Sequence, residues 1–330
     1  MSLQSRAKKS SKHKFTKVFG QATAQSDIFE ETCLPLLAPV MRQENYNALL
    51  FAYGVSNSGK THTVLGSSQP GQAGILPRAL AVVFRSIDTF IQDSGEAAQY
   101  RPIGFQDIYT EKIHDLLAEP PESLVPGLGA LSPKRPALHM QTDQTTGQKY
   151  IHGLRDIKVR TLEEALLVLR AGLRQRQVFS TLLNNVSSRS HCVFTIKILK
   201  TPQFGNSAAE TAAKGKTSVS RLSIVDLAGS ERVRNTNSTG QRRREAGNIN
   251  NSLMVLGHCM EVLRLNQIGA SKVPQMVPYR HSKLTQLFQG VLDGKSKNSK
   301  MCLIINVNPF QNEFDETIQS LRFSSVAMNV

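Results

Sequence analysis

Long apolar runs are missing from this 330-residue chain. No tract approaches the roughly 18 residues that a membrane-spanning helix requires, and no secretory h-region is present. Cysteine is scarce. Cys33, Cys192, Cys259 and Cys302 lie far apart without a CxxC pair, which excludes a disulfide scaffold or zinc ribbon and points to a reducing compartment. Internal repeats are lacking, and no interior linker separates two cores, so one domain is the simpler reading of this length. Acidic residues are also few: 25 against 40 Lys and Arg, a formal net charge of +15.

That charge is unevenly spread. Residues 1–17 carry six basic and no acidic groups, and residues 211–300 carry 15 basic against 5 acidic. The chain between them is nearly balanced, with 18 against 17. A concentrated basic block implies an acidic polymer or surface as partner, whether nucleic acid, anionic lipid or acidic protein. Residues 1–14 are basic and Ser-rich, but no amphipathic repeat follows them, so they read as a solvated tail rather than a transit peptide.

Short strand-like runs alternate with helical patterns, which predicts an α/β layered domain. Strands are expected at Ala48–Tyr53, Ile103–Tyr109, Cys192–Leu199, Val219–Val225 and Met301–Val307. Thr161 and Glu164 form a capping box opening a helix to Gln177. Asn248–Gln267 places Ile249, Leu253, Leu256, Met260 and Leu263 on one face, a stripe best read as core packing. A last helix is expected from Asp315 to Ala327. The five prolines of Glu119–Pro136 exclude a helix or central strand there, and Thr201–Ser218 reads as a flexible hairpin connection.

Three polar clusters carry chemistry. Gly54, Val55, Ser56, Asn57, Ser58, Gly59, Lys60 and Thr61 fit GxxxxGK(S/T) directly after an apolar strand. Glycines there let backbone amides turn toward a phosphate, and the following helix points its N-terminus at the same anion. Lys60 would reach the β/γ-phosphates and the Thr61 hydroxyl would ligate Mg²⁺. Asp226–Gly229 (DLAG) ends a second strand. Its carboxylate suits the Mg²⁺ shell through water, and the Gly229 amide suits a γ-phosphate contact. Asn184–His191 is a dense polar run whose Ser187, Ser188 and Arg189 can meet phosphate, magnesium and a carboxylate.

Together these clusters resemble the phosphate loop, switch I (NxxSSRSH) and switch II (DLAGSE) of a kinesin motor domain. Further stretches match in order: VFG at Val18–Gly20, GILPR at Gly74–Arg78 and DIYTEKIHDLL at Asp107–Leu117. EAGNINNSLMVLG follows at Glu245–Gly257, PYRHSKLTQLFQG at Pro278–Gly290 and LRFSSVA at Leu321–Ala327. Within the family, VSNSGKTHT, LFQG, NVNP and FDET are most similar to the mitotic kinesin-like branch of the central spindle and cytokinesis. The long motor insertion of some of its members is absent.

The resemblance implies a three-layer P-loop NTPase fold, with a central, mostly parallel mixed sheet flanked by helices, and a microtubule-stimulated ATPase using ATP and Mg²⁺. Thr61 and Ser188 would hold the metal, with Asp226 acting through water. Arg189 and Glu231 would form a switch salt bridge that organises the attacking water, with Lys60, Ser187 and Gly229 on the phosphates. His62 would form one face of the adenine site. Arg242, Arg243, Arg244, Arg280, Lys283, Lys295 and Lys297, with Lys300, would face acidic tubulin, and Lys149 would add a contact. The setting implied is the cytoplasm, on microtubules and the spindle, with no membrane partner. This chain would be monomeric, and a dimeric parent would need a coiled coil beyond it.

The chain also departs from the family pattern. Kinesin motors open with a core strand ending in RxRP, whereas Met1–Lys14 has almost no apolar content. The expectation is therefore a tail over 1–14 and a motor domain over 15–330 that lacks its opening strand. His281 stands where Asp is usual, Gln286 where a basic residue is usual, and Asn251 where Lys is common. Val55 replaces Gln. Two other readings fit part of the pattern. One is a nucleotide-insensitive microtubule-binding module, suggested by the missing strand. The other is a P-loop ATPase acting on nucleic acid, suggested by the charge.

Overall fold

The computed structural model describes residues 12–94, 101–109, 111–118, 136–144, 147, 149–182, 190–200, 218–231, 241–269, 273–294 and 297–327. In chain order these form α1 (Gln25–Thr32), α2 (Leu34–Arg42), β1 (Asn47–Tyr53), α3 (Lys60–Leu65) and α4 (Ile75–Ser94). Next come β2 (Arg101–Tyr109), β3 (Lys112–Asp115), β4 (His139–Thr142), β5 (Lys149–His152), β6 (Asp156–Val159) and α5 (Leu162–Leu182). The series closes with β7 (His191–Lys200), β8 (Ser218–Asp226), α6 (Gln241–Gln267), α7 (Lys283–Leu292), β9 (Ser299–Ile305) and α8 (Phe314–Ala327).

The main sheet runs β3-β2-β7-β8-β1-β9, with β6 also paired to β2. β1 is parallel to both β8 and β9. Every other pairing in this sheet is antiparallel. The sheet is thus mixed, as the sequence suggests, but not mostly parallel. The physical reason is local for β7 and β8: the sequence between them reads as a hairpin connection, and strands joined that way pair antiparallel.

Strand alternation builds two cores. Ala48, Leu50 and Ala52 of β1 face a layer made by α1, α2, α4 and α5, while Leu49, Phe51 and Tyr53 face α6, α7 and α8. A period of two along a strand buried on both faces produces this three-layer stack directly. Phe51 meets Phe288 of α7 edge-on, with centroids 5.6 Å apart at 89°. Tyr53 stacks on Phe323 of α8 at 4.2 Å and 15°. These ring contacts fix the second helical layer against the strand that leads into the phosphate loop. A Cβ on Gly257 would sit 2.9 Å from the Phe323 ring, so glycine lets α6 and α8 approach closely.

Several boundaries differ from the sequence reading. α5 runs on to Leu182 and α6 starts at Gln241. Glu164 N–H bonds Thr161 Oγ1 at 3.2 Å, but the Glu164 carboxylate accepts from the Arg160 amide instead of Thr161's own. β9 ends at Ile305, two residues short of the expected Val307, and the Asn306 N–H to Tyr53 O bond at 2.8 Å is the last rung of its pairing with β1. β9 is the last strand of the sheet among the described residues, and Met301 to Ile305 remain only half-buried. Among the described residues, no helix is long and apolar enough to cross a membrane.

Candidate nucleotide site and basic face

The chain leaves β1 at Tyr53 and turns back sharply at Gly54, whose φ is +151°. A Cβ at Gly54 would overlap the Asn306 carbonyl, so this loop packs too closely for a side chain there. Asn57 and Gly59 also take positive φ, at 61° and 95°, and α3 begins at Lys60. Lys60 is buried at 6% exposure and its Nζ donates to the carbonyls of Gly54 (2.9 Å) and Val55 (2.7 Å). The lysine therefore lies folded along its own loop. Burial pulls its pKa below the ordinary value, opposed by Asp226 and Glu231. Val55 is itself buried, and its carbonyl also accepts from Ser58 Oγ at 2.8 Å.

β8 delivers Asp226 beside that loop, because parallel pairing sets Ala52 opposite Asp226. Thr61 Oγ1 donates to Asp226 Oδ2 at 2.8 Å. Arg176 Nη1, from α5, meets the same oxygen at 3.0 Å with both side chains buried. Asp226 Oδ1 is buried with no hydrogen-bond partner among the described residues. A threonine hydroxyl and a carboxylate with an uncommitted oxygen form a hard, all-oxygen donor pair, and this suits Mg²⁺. Glu231 lies across the loop, accepting from Ser56 N–H at 2.9 Å and Ser56 Oγ at 2.6 Å.

His191, at the start of β7, ties this segment to the second layer. Its Nδ1 accepts from the Ala228 amide at 3.1 Å, and Nε2 lies 2.7 Å from Ser252 Oγ of α6. The first bond requires an unprotonated Nδ1, so Nε2 carries the hydrogen. Burial, then the cations Arg176 and Lys60, push its pKa down to about 3.

The whole chain, residues 1–330, matches the family model for the kinesin motor domain. The chain belongs to the kinesin motor-domain family. It is 34% identical to mouse kinesin-like protein KIF23 over 98% of this chain and 39% of that protein. It is 33% identical to kinesin-like protein subito of Drosophila melanogaster, over 96% of this chain and 55% of that protein. Human KIF20A is 32% identical over 96% of this chain and 43% of its own length. The kinesin motor domain seen here thus spans about two fifths to just over half of these relatives. Among solved structures, a fast kinesin superposes with a TM-score of 0.76 at 33% identity, covering 96% of this chain and 79% of that chain. A kinesin 6 structure gives 0.75 at 32%, covering 94% and 88%.

Of the residues singled out from sequence, Gly54 to Thr61, Asp226, Gly229 and Glu231 come together in this kinesin site. Ser187, Ser188 and Arg189 lie outside the described residues. His62 sits on α3 beside Gln25, whose Nε2 contacts His62 Nδ1 and the His62 carbonyl, both at 3.0 Å.

The described basic candidates do not share one face: most sit on or beside α6 and α7, whereas Lys300 alternates with Met301 and lies on the Cys302 and Ile304 face of β9. Arg242, Arg243 and Arg244 lie in the first turn of α6. Arg280 is exposed just before α7, and Lys283 opens that helix. Both Ser282 Oγ and the Lys283 amide donate to Glu111, which tethers this segment to the β2–β3 turn. Lys149 is half-buried on β5 and lines a cavity of about 670 Å³ between the β4–β5 hairpin and α7, away from the phosphate loop. Lys297 and Lys300 are exposed around the start of β9, and Lys295 lies outside the described residues.

Sequence reasoning missed Arg176, Asn306 and the roles of His191 and Glu111. Asn306 Nδ2 donates to Thr63 Oγ1 at 2.9 Å, bracing α3. No spacing rule marks these residues, because each reaches the site from a distant element. The one available signal was the fully polar Arg176 within the apolar period of α5.

Proposed function

We propose that this chain is an ATP-hydrolysing, microtubule-binding motor domain acting in mitosis or cytokinesis, in the cytoplasm on spindle microtubules. The observation that carries the reading is the meeting of Lys60, Thr61, Asp226 and Glu231 around one glycine-shaped loop. Likeness to KIF23 and subito supports the mitotic setting, and likeness to a KIF14 dimer solved with AMP-PNP on a microtubule supports the partner. Residues 15–330 make up the motor domain and 1–14 a basic tail. The half-exposed apolar edge of β9 favours a sheet that takes one more strand there. This chain acts as a monomer.

In this mechanism the loop amides of Gly54 to Thr61 cradle the β-phosphate, and Lys60 exchanges its loop carbonyls for the β/γ-oxygens. Thr61 and Ser188 would hold Mg²⁺ directly and Asp226 through water. The metal would neutralise charge that develops on the phosphates. Gly229 N–H senses the γ-phosphate, Ser187 adds a hydroxyl to it, and Glu231 with Arg189 positions the attacking water. Catalysis is mainly placement and charge stabilisation. His62, braced by Gln25, offers a flat face to adenine. Arg242, Arg243, Arg244, Arg280, Lys283, Lys295, Lys297 and Lys149 form the tubulin face, and long-range attraction to acidic tubulin speeds encounter.

Cosedimentation tests the reading. The chain is pelleted with microtubules or with DNA, in AMP-PNP, in ADP or without nucleotide. Nucleotide-dependent pelleting with microtubules is expected. Pelleting indifferent to nucleotide would convert the chain to a passive microtubule-binding module. Retention by DNA alone would reject the motor.

A further inference from the structure

The phosphate loop already holds an anion of its own. The amide and hydroxyl of Ser56 both donate to the Glu231 carboxylate, one to each oxygen, at 2.9 and 2.6 Å. Two charge-assisted bonds from one residue form a strong and directional clamp. Glu231 reaches Ser56 by folding back over Gly229, where an added Cβ would overlap both the carboxylate and the Ser56 hydroxyl. Ser56, Gly229 and Glu231 therefore act as one unit, and only glycine at 229 permits it. The carboxylate also bears on Lys60, whose ammonium it helps keep charged.

Loop amides arranged to receive phosphate attract any anion that can reach them. We propose that Glu231 is a built-in competitor for the nucleotide's phosphates, and that Ser56 is the positioning residue that holds it there. The proposal rests on the nucleotide-binding reading above. Arrival of a di- or triphosphate then displaces the Glu231 carboxylate through like-charge repulsion and loss of its amide donor. The same event frees the segment that follows Asp226. Linkage makes the coupling reciprocal: whatever weakens the Ser56–Glu231 clamp tightens nucleotide binding by the same factor.

Equilibrium binding of fluorescent ADP to the full chain tests this with four variants. Glu231→Gln removes the charge but keeps the shape, and should tighten binding about tenfold, the scale of one charge-assisted hydrogen bond. Ser56→Ala should tighten it severalfold, even though a side chain that merely supports the loop would weaken binding when truncated. The double variant should bind no tighter than Glu231→Gln alone, because both changes break one interaction. Ser56→Thr, which keeps the hydroxyl, should not reproduce the tightening of Ser56→Ala. Unchanged or weaker binding by Glu231→Gln, or additive effects in the double variant, would overturn the proposal.

A second measurement separates this inference from the reading on which it rests. Amide hydrogen exchange at Ser56, without nucleotide, should be slow in wild type and faster in Glu231→Ala. Equal exchange overturns the clamp. Absence of ADP binding in every protein, wild type included, overturns the nucleotide reading and the competition with it, whatever exchange reveals of the clamp.

Discussion

His191 makes acid sensitivity a quantitative test of how the site is assembled. The ring is buried, accepts from Ala228 N–H and donates to Ser252, so a second proton would face a donor in a region already occupied by Arg176 and Lys60. Its pKa falls from 6.5 to about 3 on folding. A depressed histidine binds more protons in the unfolded chain, so its contribution to stability is fully present above about pH 6.5. That contribution is lost progressively as the pH falls toward 3. At pH 5 the unfolded ring is almost wholly protonated and the folded ring is not. The integrated difference is about 2 kcal/mol of stability lost relative to pH 7.5, with a local slope of about 1.4 kcal/mol per pH unit. Urea unfolding of wild type and His191→Gln from pH 7.5 to 5 isolates this contribution, since carboxylates common to both cancel. The variant is expected to be less stable at pH 7.5 but to show a slope shallower by nearly one proton. Parallel stability–pH profiles for the two proteins would refute the argument.

The remaining predictions concern the Arg176–Asp226 ion pair, Glu231 and the basic face. Arg176→Met leaves Asp226 buried without its cation, and should cost about 3–5 kcal/mol in urea unfolding; a loss below about 1 kcal/mol would contradict the pairing. Glu231→Ala should retain nucleotide binding yet lower microtubule-stimulated hydrolysis by at least about 100-fold, and retained stimulation would reject its role. Replacing Arg242, Arg243 and Arg244 together by Ala should raise the microtubule concentration for half-activation on the order of tenfold at low salt, with a shallower salt dependence. An unchanged salt dependence would remove these arginines from the tubulin face.

What the sequence made legible follows from which forces are local. The apolar run Ala48–Tyr53, its glycine-rich sequel and the carboxylate at Asp226 are each written within a few residues, and the fold places them side by side. Strand direction was less legible. Alternation along β7 and β8 marks both as buried without setting their direction. The hairpin connection read at Thr201–Ser218 agrees with their antiparallel pairing, while the mostly parallel sheet implied by the resemblance failed for the sheet as a whole. Arg176 and His191 escaped notice for a related reason. Each gains its meaning only when α5 or β7 arrives against β8. Arg176 shows only as a charge within the apolar period of α5, and His191 only as the end of the NxxSSRSH run, with nothing in either naming Asp226 or Ala228 as its partner. The Ser56–Glu231 contact joins residues 175 apart, and the motif logic instead directed Glu231 toward Arg189. The basic block illustrates the opposite case. Its arginines and lysines were visible as a charge excess, but the described ones are spread over α6, α7, β8 and β9, with Arg221 on a central strand and Lys300 on the sheet face away from α6 and α7.

The most direct test of the central claim is the steady-state hydrolysis of ATP with Mg²⁺ by this chain, measured against increasing microtubule concentration beside Lys60→Ala. Lys60 lies buried in the loop with its ammonium on the carbonyls of Gly54 and Val55, where arriving phosphates would draw it. Saturable stimulation in wild type, absent from Lys60→Ala, is the predicted result. Hydrolysis that microtubules do not raise, or that Lys60→Ala leaves intact, would contradict the account.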